Sequence, residues 1–170
     1  MANEKLLEKL NTQYNFEIES AFVYKGMSLW AKKENWPGVA NFLEQQALEE
    51  LSHAERIEHY LLDMDYDMTV TAVPAPKTDY KSVLEVFKAC FEHEQQVTAN
   101  FMEIMKDAKA SNDYRTEIQV HWFLAEQVEE EASFKNIIAI LERVQDSIAG
   151  LLQLDAQLAQ RKHTASGTEA

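Results

Sequence analysis

Glycine and proline are scarce, four and three residues among 170, about 4% of the chain where a share of roughly 12% is usual. So few turn formers exclude an all-β fold, which needs a tight turn after every short strand. The single cysteine, Cys90, excludes an intrachain disulfide. Positive charge is also short, 16 Lys and Arg against 29 Asp and Glu for a net charge of -13. That balance argues against nucleic acid as a partner, because basic side chains must neutralise its phosphates. Cations and positive surfaces fit better. No apolar run approaches the roughly 18 residues of a membrane span, so no membrane association is expected. The N-terminus lacks a basic segment leading into an apolar run, and a cytoplasmic protein is expected.

What the chain has in quantity is helix-forming sequence. Two punctuation-free stretches, about 4–33 and 38–64, are parted only by Glu34-Asn35-Trp36-Pro37-Gly38. Pro37 suits a first helical position, and Lys32 and Lys33 suit a last turn. A second pair, about 79–109 and 112–143, meets near Ser111-Asn112-Asp113. Connections this short make each pair an antiparallel hairpin. Asp65 to Thr78 holds Pro74, Pro76 and a short alternating run from Thr69 to Val73. Extended, such a segment reaches roughly 50 Å, while a 28-residue helix is about 42 Å long. It crosses the whole bundle and makes helices two and three parallel. After Asp146, a candidate cap, Ile148, Leu151, Leu152, Leu154 and Leu158 mark a short fifth helix. The expectation is an all-α four-helix bundle with one long crossover and a short C-terminal helix. One domain should cover 1–162, with a flexible tail over 163–170.

At 100° per residue each long helix presents an apolar stripe interrupted by an acid. Helix one aligns Leu6, Leu10, Ala21, Tyr24 and Ala31 with Glu17. Helix two aligns Val39, Leu43, Ala54, Ile57, Leu61 and Met64 with Glu50, and His53 lies nearby. Val83, Phe87, Cys90, Phe101, Met105 and Ala108 accompany Glu94, and Phe123, Phe134, Ile137 and Leu141 accompany Glu130, flanked by Gln127 and Glu126. Counted from the hairpin turns, the four acids fall at one level within roughly one helical turn.

An unpaired carboxylate inside an apolar bundle costs several kcal/mol, and no Lys or Arg stands in those stripes to neutralise it. Protonation, water or a bound cation must do so. Glu50 and His53, at i and i+3, can converge on one ion. Oxygen-rich ligation with one imidazole and no thiolate favours iron or manganese over structural zinc. Two metals would balance four acids. Alone, Glu-x-x-His on a helix is ordinarily a solvated face; four acids at matching height reverse that reading. A shift of 77 residues maps Glu17, Glu49, Glu50 and His53 onto Glu94, Glu126, Gln127 and Glu130. The second copy has no histidine, so one position should be held firmly and the other less tightly. Glu126 and Glu130 are like charges at i and i+4, which disfavours the helix unless a cation lies between them. His59, His93, His121 and His163 are not counted as ligands, and Cys90 reads as a small core residue.

These residues resemble the ferritin family, specifically its haem-free bacterial type, from the N-terminus to about residue 160. The ferritin-like bundle is itself the standard example of such a Glu and Glu-x-x-His arrangement. The resemblance implies a shell of 24 identical subunits that oxidises Fe(II) with dioxygen or hydrogen peroxide at a di-iron ferroxidase centre and stores ferric oxide inside. By position, Glu17, Glu50 and His53 resemble the first iron site, and Glu50, Glu94 and Glu130 the second, with Glu50 bridging. Gln127 resembles the amide beside the second site and Tyr24 the nearby tyrosine. Glu49, Glu126 and Glu129, with Glu130 shared, resemble a third iron site. Leu51 stands where haem-binding relatives have methionine, so no haem is expected, and one cysteine leaves no rubredoxin-like iron module. The rival readings are a di-iron oxidase or peroxidase without mineral storage, and a non-catalytic acidic scaffold.

Overall fold

The computed structural model describes residues 4–162; the expected tail lies outside them. Four long helices, α1 (Glu4–Lys33), α2 (Pro37–Asp63), α3 (Val83–Ala110) and α4 (Tyr114–Val144), are followed by the short α5 (Ile148–Leu158). α1 packs on α2, α3 on α4, and α1 on α3, while α5 lies across the start of α2. Pro37 does open α2, where its missing N–H costs nothing.

The helix ends account for the shortage of glycine. Asn35, Asp65 and Asn112 adopt φ of 61°, 53° and 54° just past α1, α2 and α3. Asn and Asp tolerate this left-handed conformation better than other non-glycine residues. Each reversal closes with paired backbone bonds: Trp36 N to Ala31 O (2.8 Å), Tyr66 N to Leu61 O (3.0 Å) and Asp113 N to Ala108 O (2.9 Å).

Three boundaries differ from expectation. α3 begins at Val83 rather than near 79, because Ser82 caps it by accepting the Glu85 N–H, while Glu85 Oε2 accepts the Lys81 N–H at 2.6 Å. α4 begins at Tyr114 behind the Asp113 cap, and α5 is capped by Ser147 rather than Asp146. In each case the side-chain oxygen that reaches the third N–H onward decides the start.

The crossover runs from 64 to 82 without helix. Its alternating run finds no strand partner among the described residues; asparagine side chains of α1 take that part. Asn11 Oδ1 accepts the Thr69 N–H at 3.0 Å, Asn15 Oδ1 accepts that of Thr71 at 2.8 Å, and both amides donate back to the Thr69 carbonyl. Farther along, Lys77 O would lie 2.7 Å from a Cβ at Gly26, so the strap passes where α1 has no side chain.

Every stripe residue named from the sequence is buried except Met64, half-buried at the end of α2. The core falls into two apolar clusters. One gathers Tyr24, Leu43, Phe87 and Phe134, the other Leu10, Ile57, Phe101 and Phe123. Between them lies a polar layer at mid-length.

Candidate metal centre

The polar layer contains Glu17, Gln46, Glu50, His53, Glu94, Gln127 and Glu130, every one of them buried. Ligand atoms of Glu17, Glu50 and His53 lie within 4.8 Å of one another, as do those of Glu49, His53 and Glu126. Among the described residues these are the two tight sets, and Glu94 and Glu130 stand outside both. His53 belongs to each.

Four neighbours hold the remaining oxygens. Gln13 Nε2 donates to Glu17 Oε1 at 2.6 Å, and Gln46 Nε2 bridges Glu50 Oε1 (3.0 Å) and Glu130 Oε2 (3.1 Å). Tyr24 OH donates to Glu94 Oε1, while Gln127 Nε2 donates to Glu94 Oε2 at 2.9 Å and its carbonyl at 3.2 Å. Glu17 Oε2, Glu50 Oε2 and His53 Nε2 remain buried with no hydrogen-bond partner. Two carboxylates, each with a buried oxygen free of hydrogen bonds, and an imidazole within ligating distance of both form a donor set that suits a divalent or trivalent transition metal. No thiolate competes, since Cys90 lies against Met27 Sδ at 3.4 Å.

The charges agree. Burial pushes the Glu17 carboxyl well above its usual range, helped by the Glu50 charge. Burial, then Glu50, raise Glu94 to about 8, and burial, then Glu49 and Glu94, raise Glu130 to about 9. Burial works against ionisation of Glu50 and His53 too, but their mutual attraction, with Glu50 Oε2 3.6 Å from His53 Nδ1, overcomes it. Glu50 ends below its usual value and His53 is raised to about 9. Without a metal, the layer accommodates its acids by holding protons on several of them.

Glu49, Glu126, Glu129 and Glu130 line one cleft of about 560 Å³, together with Phe42 and Arg161. Glu129 stays exposed on its rim and out of the tight sets. His93 also stays out. It stacks on Phe16, meets the Tyr24 ring edge-on at 5.8 Å and bonds Ser20 Oγ through Nε2 at 2.7 Å. Sequence reasoning passed over Gln13, Gln46 and Arg161. The first two carried a signal, because each sits one turn before its glutamate in a repeated Gln-x-x-x-Glu. Arg161 carried none, since only folding brings the C-terminal segment to the acids.

Such a bundle, with a carboxylate and histidine cluster able to hold metal at its middle, defines a ferritin-like protein. The sequence matches the ferritin-like domain family over residues 7–144. A bacterial non-heme ferritin of Staphylococcus aureus (strain MRSA252) is 40% identical over 161 residues, 95% of this chain and 97% of that protein. An Archaeoglobus fulgidus ferritin engineered into a closed form superposes with a TM-score of 0.94 at 34% identity, over 96% of this chain and all of that one. An open pore ferritin from the same archaeon has a TM-score of 0.94 at 33% identity, covering 95% and 100%. The chain belongs to the ferritin family. Iron handling is the general function of that family, and the Glu and His cluster has the donor chemistry for it. Among the described residues no helix is long and apolar enough to cross a membrane.

Proposed function

We propose that this chain is the ferroxidase subunit of an iron-storing cage built from identical copies, 24 by analogy with the family, working in the cytoplasm. The observation that carries the reading is the buried trio of Glu17, Glu50 and His53, with ligand atoms within 4.8 Å of one another and an oxygen of each glutamate free of hydrogen bonds. Fe(II) is the substrate. One ion is taken by that trio and a second by Glu50, Glu94 and Glu130, with Glu50 shared, so two ions lie about 3.5–4 Å apart. Tyr24 and Gln127 hold Glu94, and Gln46 holds Glu130 by bridging it to Glu50, so the second ion must draw both carboxylates off these bonds. The second position is therefore held less firmly, which suits a substrate that has to leave.

Each Fe(II) gives up one electron. Dioxygen takes both and, with two protons, becomes hydrogen peroxide; hydrogen peroxide can serve as oxidant in its turn. Anionic oxygens favour Fe(III) over Fe(II), so the ligands drive the oxidation. Tyr24 and Gln127 keep Glu94 oriented. Product passes through the cleft of Glu49, Glu126, Glu129 and Glu130, a third iron position, toward a mineral store. No haem takes part in this scheme.

Aerobic addition of Fe(II) to the metal-free protein in a stopped-flow instrument tests the reading, with particle mass measured alongside. Wild type should oxidise about two irons per chain rapidly. Glu50→Ala, lacking the shared ligand, should lose the fast phase, and Glu130→Ala should lose most of it. Oxidation no faster than in buffer would remove the ferroxidase, and fast oxidation by a small oligomer would leave an oxidase without a store.

A further inference from the structure

The acidic cleft already holds a cation, and it belongs to the chain. Past the end of α5, Arg161 Nη2 donates to Glu49 Oε2 at 2.5 Å. Its guanidinium lies over the Phe42 ring, 4.1 Å from the centroid, and the side chain is only 22% exposed. Arg161 Nη1 is buried without a hydrogen-bond partner. The segment carrying it is clamped, since Asn41 Nδ2 donates to the carbonyls of Leu158 (3.3 Å), Ala159 (3.2 Å) and Arg161 (3.0 Å). The Glu49 carboxylate that Arg161 engages belongs to the tight set with His53 and Glu126, and His53 is buried with its Nε2 free of any hydrogen bond.

We propose that Arg161 is a positioning residue that competes with metal for Glu49, keeping cations at the Glu49, His53 and Glu126 set weakly bound and passing. This rests on the ferroxidase reading and adds a control to it. A metal ion at that set must either displace the guanidinium or bind beside a like charge, and both weaken it. One guanidinium nitrogen engages Glu49, and the aromatic stack and the Asn41 clamp hold it there. Ions oxidised at the inner site therefore meet a carboxylate cleft that does not trap them.

Zn(II), which cannot be oxidised, separates binding from turnover. Calorimetric titration of the assembled, metal-free protein should show one tight event per chain, a second that is less tight and a third that is weakest. In Arg161→Gln the third should tighten about tenfold with the first two unchanged. Arg161→Lys, which keeps the charge but loses the stacked guanidinium plane, should fall between wild type and Arg161→Gln. Asn41→Ala, which keeps the charge but frees the segment, should shift in the same direction as Arg161→Gln. A third event equally weak, or equally absent, in wild type and Arg161→Gln overturns the competitor while leaving the ferroxidase reading intact. Absence of the first two events in wild type overturns that reading and this inference with it.

Discussion

Glu94 and Glu130 hold protons at neutral pH in the metal-free chain, with values raised to about 8 and about 9. A cation binding there must expel them. At pH 7, Zn(II) binding should therefore release more than one proton per chain, visible as a binding enthalpy that changes with the ionisation heat of the buffer. A buffer-independent enthalpy would contradict the assignment. The same groups set the pH dependence of stability. A folded value above the usual 4.5 makes the contribution of Glu94 and Glu130 complete below that pH and lost as pH rises through 8 and 9. His53, raised from 6.5 to about 9, contributes fully below 6.5 and loses its share toward 9. Glu50, lowered, contributes above its usual value and loses its share on acidification. The thermal midpoint of metal-free protein should thus fall by several degrees, on the order of 5 °C, between pH 6.5 and 9. Bound Zn(II) should reverse the trend, since it replaces the protons.

Helix ends and close approaches carry the next set of consequences. Asn112 sits at φ 54° between α3 and α4, where a Cβ without a polar side chain costs about 1 kcal/mol or more. Asn112→Ala should lower the unfolding free energy by that amount, read from denaturant titration, and Asn112→Gly should match or slightly exceed wild type. Gly38 is a different case. A Cβ there would lie 1.7 Å from Asp155 O, and Asp155 Oδ1 accepts the Val39 N–H at 2.8 Å. Asp155 thereby satisfies an N–H at the start of α2, where Trp36 makes no side-chain cap. Gly38→Ala should push α5 away and remove that cap together, costing about 2 kcal/mol or more. Faster proteolysis after α4 would report it.

The single chain leaves apolar surface uncovered. Away from the Glu17 stripe of α1, Leu7 and Tyr14 are buried within the chain, but Phe22 remains 48% exposed and Leu29, two turns on, 50%. Patches of this kind mark contacts between chains. Phe22→Glu with Leu29→Glu should shift the particle to smaller mass by light scattering while leaving helical circular dichroism unchanged. Retention of full size would place the assembly surface elsewhere.

Periodicity alone determined the four long helices, the hairpin pairing and the level of Glu17, Glu50, Glu94 and Glu130, because a helix repeats its faces every 3.6 residues and short turns fix antiparallel register. Boundaries were less legible, since the competition between Asp146 and Ser147, or between residue 79 and Ser82, depends on which oxygen reaches a free N–H. Only tertiary structure decided which oxygens are satisfied. Gln46 meets Glu130 and Tyr24 meets Glu94 across helices separated by 84 and 70 residues of chain. Arg161 reaches Glu49 across 112. Such pairings depend on distances between helices, and a one-dimensional pattern carries angle and height along each helix but not the separation between them.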